Sequence, residues 1–187
     1  MTTIVGIDPS LASTGLAVWR DGRFYVSTLA TRPGQDPAAR HHYTVSRCLS
    51  VADPQPGHTL YVVEERITPG PDAVQTAMDL AELRGVINYG IHAKGHRRVD
   101  VHPGTLKVYA TGNGRANKAA MLVAARGRLG THAYTNNDDE ADALWLVAIA
   151  LHHYGLPLWS PPKKNLTAVG KPAWPAFLLT PVGAVKA

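Results

Sequence analysis

The chain has 187 residues, of which 45% are hydrophobic, with a formal charge of +5 and a sequence pI of about 9.5. This size fits one domain or one domain with an appendage. Cys48 is the only cysteine, which excludes an intrachain disulfide and argues against a thiolate zinc site. No apolar stretch approaches the roughly 18 residues that span a bilayer, so we expect a soluble, cytoplasmic protein without a membrane partner. The positive charge points to an anionic partner, although a solvated basic surface explains it equally well.

The first third of the chain predicts an antiparallel meander followed by a helix and a further strand. The elements are strands at 3–8, 16–20 and 23–29, a helix at 37–51 and a strand at 59–64. Asp21-Gly22 is a hairpin signal between the second and third strands. Pro37 suits the first turn of the helix, and the Pro/Gly-rich stretch at 54–57 ends it.

The rest of the chain alternates helices with one more strand. The elements are a helix at 72–89, a strand at 97–101 and helices at 105–109, 119–129 and 138–154. The order predicts an α/β fold with a mixed five-stranded sheet, three antiparallel strands and then two parallel ones, and helices on both faces. We expect residues 1–154 to form this domain. Residues 155–187 are rich in proline, and we expect a wrapping or partly disordered tail there.

Four acidic residues, far apart in the chain, stand where a carboxylate is costly. Asp8 ends the first predicted strand, and Glu64 ends the fourth. Asp139 and Asp142 open the apolar last helix. Buried acids pay a desolvation cost and repel each other, so several that converge make sense mainly around a cation. The pattern predicts a divalent-metal site, most plausibly one acting on phosphodiesters.

The two strand acids also have plainer explanations. Asp8 could simply form a turn with the Pro-Ser that follows it. Glu64 and Glu65 could mark a strand reaching solvent, and neighbours in a strand point to opposite faces, so only one of them can join the site.

The helix acids have a plainer explanation too. Acids in a first turn favour the helix dipole whatever else they do. Asp139 and Asp142, however, are three residues apart, which places both on one face of the helix. Asn137 or Asp138 is then the better candidate for the N-cap.

Five motifs occur in order along the chain. They are Val5-Gly6-Ile7-Asp8-Pro9-Ser10 with Thr14-Gly15, Val63-Glu64-Glu65, Leu83-Arg84-Gly85-Val86, Pro103 to Lys107 with the run from Thr111 to Lys118, and Asp139-Glu140-Ala141-Asp142-Ala143-Leu144. In this order and approximate spacing, over about residues 3–153, the chain resembles RuvC-type Holliday-junction resolvases. A single motif of this kind is common, whereas five in order are specific.

The resemblance implies a ribonuclease H-like fold and a dimeric, Mg²⁺-dependent endonuclease that nicks four-way DNA junctions. It implies that the four acids are metal ligands for two Mg²⁺, with Mn²⁺ able to substitute. It also implies that Lys107 and Lys118 contact DNA and assist catalysis. A two-fold homodimer would follow from the need to cut two opposed strands, with the helix at 72–89 as the candidate interface.

The basic loop between residues 111 and 118 is the main candidate for DNA contact. Gly112 and Gly114 would let the backbone approach phosphate, and Asn113 lies between them. Arg115 would add an electrostatic clamp. A plain flexible connector is the alternative interpretation of this loop. The motif around Arg84 makes that residue a further DNA-binding candidate.

Three features depart from the family pattern. Ile67 stands where the family usually has an aromatic wedge near the junction centre, and it counts here as a DNA-binding candidate. Lys107 is followed by valine where many members have a second lysine, and the Pro-rich tail is extra. These departures suit a phage-type member with looser selectivity for branched DNA. The leading hypothesis is therefore a junction endonuclease, with two alternatives: a non-catalytic DNA-architectural protein and a nuclease acting on RNA–DNA hybrids.

Overall fold

The computed structural model describes residues 2–32, 34–65, 74–177 and 179. Its elements are β1 Thr3–Asp8, β2 Ser13–Arg20, β3 Arg23–Ala30, α1 Pro37–Ser50, β4 Thr59–Glu64, α2 Val74–Ala93, β5 Arg97–Val101, α3 Pro103–Thr111, α4 Lys118–Leu129, α5 Asp138–His153 and α6 Lys163–Leu166. The sheet order is β3-β2-β1-β4-β5. The first three strands pair antiparallel, whereas β1 pairs parallel with β4, and β4 parallel with β5. The predicted mixed five-stranded α/β sheet is confirmed.

Strand alternation divides the core into two layers, one on each face of the sheet. Val5 and Ile7 of β1 pack in a cluster with residues of α1 and α2. Ile4 of β1 and Val62 of β4 pack in a second cluster with α3, α4 and α5. By the same alternation Asp8 points to the same face as Ile4 and Gly6, which is the face that α5 covers. Helices on both faces are therefore confirmed as well.

Helix α5 is the central helix of the second layer and lies directly on the sheet. Its residues 143–151 are all buried. A Cβ built at Gly6 would stand 2.2 Å from the Ala143 carbonyl oxygen, and one at Gly15 would stand 2.0 Å from the Asp139 carbonyl oxygen. Glycine at these two positions lets α5 approach β1 and β2 closely. This close packing brings the first turns of α5 beside the end of β1.

Several boundaries differ from the sequence prediction. Helix α2 continues to Ala93 instead of ending at residue 89, because the first residue that breaks it is Gly95 with φ of +68°. Arg84 therefore lies in the middle of α2 and not at its end. Helix α3 begins at Pro103, two residues early, with His102 as its N-cap. The start of the helix predicted at residue 72 and the position of Ile67 lie outside the described residues.

Residues 155–177 contain the short helix α6, which was not predicted, and they contribute Trp159, Trp174 and Phe177 to the layer that holds α5. The division into a domain at 1–154 and a tail at 155–187 stays a prediction. Across the described residues, no helix is both long and apolar enough to cross a membrane.

Candidate active site

The ends of β1 and β4 and the first turns of α5 gather acidic side chains at one place. Strands β1, β4 and β5 are parallel, so their carboxyl ends lie on one edge of the sheet, where such folds place ligands. Asp8 and Glu64 end two of these strands on the face that α5 covers. Asp142 enters from α5, and its charge acts on Glu64.

Burial and mutual repulsion raise the pKa of these three carboxyls. The pKa of Asp8 lies well above its usual range, first because the group is desolvated and then because Glu64 and Asp139 are close. Burial and the charge of Asp142 raise the pKa of Glu64. Burial and the charge of Asp8 raise the pKa of Asp142 to about 7. The cluster therefore resists full ionisation unless protons or cations neutralise it.

Two observations show how incompletely these carboxylates are satisfied by the protein. Asp8 and Glu64 are close neighbours, and each shifts the pKa of the other. The Oδ1 atom of Asp142 is buried and has no hydrogen-bond partner. A buried carboxylate oxygen without a donor costs about 1–3 kcal/mol or more, so functional sites are where such atoms are expected.

Asp139 stands at the rim of the cluster and has partners. The Ser13 hydroxyl donates to Asp139 Oδ2 at 2.5 Å, and Lys118 Nζ lies 3.7 Å from Asp139 Oδ1. Lys118 also forms a closer ion pair with Asp138. This hydrogen bond with Asp138 raises the pKa of Lys118 and lowers the pKa of Asp138. The ammonium group of Lys118, at the end of the basic loop, therefore lies at the acidic cluster.

Lys107 reaches the cluster from α3. Its positive charge lowers the pKa of both Glu64 and Asp142, so it acts on both sides of the site. The structure therefore brings together the four predicted acids and the two predicted lysines. Their roles as metal ligands and catalytic lysines stay predictions.

The basic loop is held by its own side chains. Gly112 ends α3 with φ of +78°, a conformation that favours glycine. The Asn113 side chain accepts a hydrogen bond from the backbone N–H of Arg115 at 3.0 Å, and Asn117 caps α4. Gly114 folds back toward the first turn of α3. Arg115 is exposed, as expected of a residue that binds DNA.

Arg84 is placed differently from the other DNA-binding candidates. It is 8% exposed, and its guanidinium donates to the backbone carbonyl of Glu64. Its charge lowers the pKa of Asp8 and Glu64. In this position Arg84 supports the end of β4, and the DNA contact inferred from the resemblance stays a prediction.

Glu140 is a residue that supports the site from behind, and the sequence reasoning missed it. It is 5% exposed, accepts from the Asn136 backbone N–H at 2.7 Å and accepts from the Thr28 hydroxyl at 3.2 Å. Asn137, the observed N-cap, also donates to Thr28 at 2.9 Å. These bonds tie the start of α5 to β3. The signal was available, because an N-cap followed three residues later by glutamate marks a helix start.

The donor set fits a hard divalent cation. All four ligand candidates are carboxylates, the ligands that Mg²⁺ prefers, and one of their oxygens is buried without a partner. As the side chains stand, no group of three His, Cys, Asp or Glu within the described residues is arranged to hold a metal. Binding would therefore require the acids of the cluster to turn toward a shared cation, and Asp139 to exchange its bond from the Ser13 hydroxyl for that cation.

A sheet of this order, with acids at the ends of β1 and β4 and at the start of the helix across them, defines the ribonuclease H-like class. The chain belongs to the RuvC family: the family model described as Crossover junction endodeoxyribonuclease RuvC matches residues 4–153. The protein of that description from Mycobacterium leprae is 32% identical over 164 residues, covering 80% of each chain. Its counterpart from Mycolicibacterium vanbaalenii is 32% identical over 160 residues, covering 80% of this chain and 77% of the other.

Solved structures show the same fold. The Thermus thermophilus RuvC structure is similar with a TM-score of 0.63 and 22% identity, covering 83% of this chain and 98% of that one. The same protein in complex with a Holliday junction substrate has a TM-score of 0.60, at 18% identity and the same coverage. The predicted family and its ribonuclease H-like fold are confirmed.

Family membership also answers two of the expectations about function. The prediction that the chain is an enzyme, an endodeoxyribonuclease, is confirmed. The non-catalytic architectural alternative loses its support accordingly. These relatives are bacterial proteins, and they lend no support to the expectation of a phage-type member.

Proposed function

We propose that this protein is a Mg²⁺-dependent, structure-selective DNA endonuclease that resolves Holliday junctions and acts on other branched DNA. The single observation that carries the proposal is the group of half-buried, mutually repelling carboxylates at the sheet edge, with two lysines reaching it. Membership of the RuvC family supplies the substrate class. We place its action in the cytoplasm, where bacterial DNA is found.

The four carboxylates would hold the cation, with Asp8 central because its pKa responds to Glu64 and Asp139 and its charge raises the pKa of Asp142. Two Mg²⁺, or Mn²⁺ in their place, would supply activation of the attacking water and stabilisation of the leaving oxygen. Hydrolysis in line at phosphorus would leave a 5′-phosphate and a 3′-hydroxyl.

The lysines would act on the phosphate itself. Lys107 and Lys118 would bring ammonium groups to the non-bridging oxygens and stabilise the negative charge that develops there. Lys118 would exchange Asp138 for the phosphate when DNA binds. Gly112 and Gly114 would let the loop backbone approach the strand, and Arg115 would bind a neighbouring phosphate.

A resolvase must cut two strands, so we propose a two-fold homodimer. Helix α2 supplies a suitable surface, because its outer face exposes apolar side chains. The most exposed are Val74, Met78, Val86 and Tyr89. An isologous contact along this face would bury them and would set two active sites in one assembly.

The test compares cleavage of a four-way junction, a flap, a linear duplex and an RNA–DNA hybrid of matched sequence. We expect Mg²⁺-dependent, paired nicks in the junction that DNA ligase can reseal, because ligase needs a 5′-phosphate beside a 3′-hydroxyl. We expect Asp8→Asn to abolish cleavage while it still binds the junction. Asp21→Asn, at the exposed hairpin between β2 and β3, is the matched control and should cleave normally.

Cleavage by Asp8→Asn at the wild-type rate would contradict the assignment of the metal site. A hybrid cut as fast as the junction would favour the alternative of a nuclease for RNA–DNA hybrids.

A further inference from the structure

Positive charge is concentrated in two segments of the chain that contain no acidic residue. Residues 101–137 hold five lysines and arginines and no aspartate or glutamate, and residues 155–187 hold four lysines and again no acid. All 14 acids therefore lie in the remainder of the chain. Such an asymmetry is typical of proteins with a polyanionic partner.

The fold joins these two segments. The first contains α3 and α4, which pack on each other, and the second contains α6, which packs on α3. Residues 154–162 connect α5 to α6. Of the two acid-free segments, only residues 101–137 contain lysines that reach the active site, Lys107 and Lys118. We call the surface of α3, α4 and the tail the acid-free surface, because none of its own residues is acidic; at its edge, Lys171 shares a hollow with Glu65 and Asp100.

Trp159 is the first anchor that fixes the tail. Its indole N–H donates to the Tyr109 hydroxyl at 3.1 Å, and its ring lies edge-on to Tyr109 and Trp145 at 5.8 and 5.9 Å. The Arg128 guanidinium lies 4.5 Å above the Trp159 ring and also donates to the Ala110 carbonyl. Residues of α3, α4 and α5 therefore hold the tail at one point.

Asn165 of α6 is the second anchor. It is 3% exposed, and its side-chain amide donates to the Tyr109 carbonyl at 2.8 Å, near the end of α3. Its Oδ1 would lie 3.2 Å from a Cβ built at Gly112, so α6 contacts the turn where the basic loop begins. A buried amide with this bond fixes the orientation of α6 as well as its position.

With Asn165 turned inward, the two residues before it face solvent. Lys163 and Lys164 are both exposed, and no acidic side chain precedes or follows them in the tail. A pair of ammonium groups held at a fixed position without counter-ions costs little in water and gains when phosphate binds.

We propose that Lys163 and Lys164 bind the phosphate backbone of a duplex arm as it leaves the active site. Asn165 docks α6 at the C-terminal end of α3, four residues beyond Lys107, which is a rise of about 6 Å at 1.5 Å per residue. One strand of B-DNA has a phosphate about every 3.4 Å along its axis, so the pair would meet the arm within a few phosphates of the cut. This inference rests on the proposed function, because it takes DNA as the substrate. It adds a binding surface outside residues 4–153, the part of the chain that the family model matches.

The test uses the full chain and two double variants of equal charge change. Lys163→Gln with Lys164→Gln removes the proposed contacts. Arg47→Gln with Lys94→Gln removes two exposed cations from α1 and from the end of α2, in the opposite layer of the fold. Binding to a synthetic four-way junction and to a linear duplex is measured in EDTA over a range of salt concentrations, and thermal unfolding checks that each variant folds.

We expect the tail variant to lose affinity for both DNAs, on the order of tenfold at low salt. The slope of log K against log salt should fall by about 2, one for each phosphate contact. The control variant should keep the wild-type affinity and slope. Loss in the tail variant alone supports the proposal.

Equal affinity and slope in wild-type protein and tail variant overturn the proposal, and so does an equal loss in both variants, which would show an effect of net charge only. Failure of the proposed function would look different: wild-type protein would bind but not cut the junction in Mg²⁺, whatever the tail variant does.

Discussion

The carboxylate cluster and the acid-free surface of α3, α4 and the tail are opposite in charge and differ in burial. Asp8, Glu64 and Asp142 are enclosed by the sheet and α5, where low polarity strengthens their repulsion. Arg115, Lys163 and Lys164 are exposed, where water screens them. Each region carries an excess of one charge that its neighbours offset only in part, and each would gain counter-charge from a different part of the same complex: the cluster from divalent cations, the surface from phosphates.

The difference shows how stability and function are divided in this molecule. Repulsion among buried acids lowers the stability of the fold until a cation binds, whereas exposed lysines cost little. Lys118 connects the two regions, since it begins α4 and forms ion pairs with Asp138 and Asp139.

Lys118→Gln tests that connection and should have the largest effect among variants outside the carboxylates. Glutamine is one atom shorter than lysine but keeps a polar side chain, and it removes the charge that would meet the phosphate. We expect single-turnover cleavage of the junction to fall on the order of 100-fold. Lys94→Gln, an exposed lysine after α2, should cleave like wild type. Unchanged cleavage by Lys118→Gln would contradict the role of Lys118 as a link between the carboxylate cluster and the acid-free surface.

Gly15→Ala tests whether close packing of α5 on the sheet assembles the cluster. The new methyl group would overlap the Asp139 carbonyl and push the start of α5 away from β2. We expect a loss of about 1–3 kcal/mol in the free energy of unfolding, and slower cleavage because Asp139 and Asp142 move. Denaturant unfolding and single-turnover cleavage measure the two effects.

Gly127→Ala is the matched control, because Gly127 lies in α4 with open space around it. We expect that change to stabilise the protein by about 0.5–1 kcal/mol and to leave cleavage unchanged. If Gly15→Ala behaved like Gly127→Ala, close packing at β2 would not be what positions the acids.

Much of the fold followed from local patterns in the sequence. The alternation of apolar and polar residues, together with the Asp21-Gly22 turn, predicted the three-stranded meander. Pro37 marked the start of α1 correctly. Helix α6 escaped prediction because its stability comes from tertiary contacts of Asn165 with α3, not from its own sequence. The end of α2 was missed because Gly90 resembles a helix stop, whereas the helix continues through it and Leu49 of α1 packs closely there.

The acids of the site were predictable because strand ends and helix faces follow simple periodicities. Strand alternation left room for only one of Glu64 and Glu65, the motif resemblance pointed to Glu64, and the structure turns Glu64 to the Asp8 side. The supporting contacts could not be predicted in the same way. Ser13 meets Asp139, and Arg84 meets the Glu64 carbonyl, only after β2 and α2 have packed in place.

The central claim is that the buried carboxylates store repulsion that a divalent cation relieves. Asp142 makes this claim measurable, since its pKa is raised to about 7. An acid with a raised pKa in the folded state stabilises the fold while protonated, and this contribution is lost as pH rises from its unfolded value near 4 through about 7. Thermal unfolding of wild-type protein and Asp142→Asn, with and without Mg²⁺, at about pH 5 and about pH 8, is the direct measurement.

We expect Asp142→Asn to be the more stable protein in EDTA at about pH 8, by on the order of a few kcal/mol, and this advantage to shrink toward about pH 5. Mg²⁺ should raise the Tm of the wild type in a concentration-dependent way and should raise that of Asp142→Asn much less. A variant less stable than wild type in EDTA at the higher pH, with an undiminished response to Mg²⁺, would contradict the account.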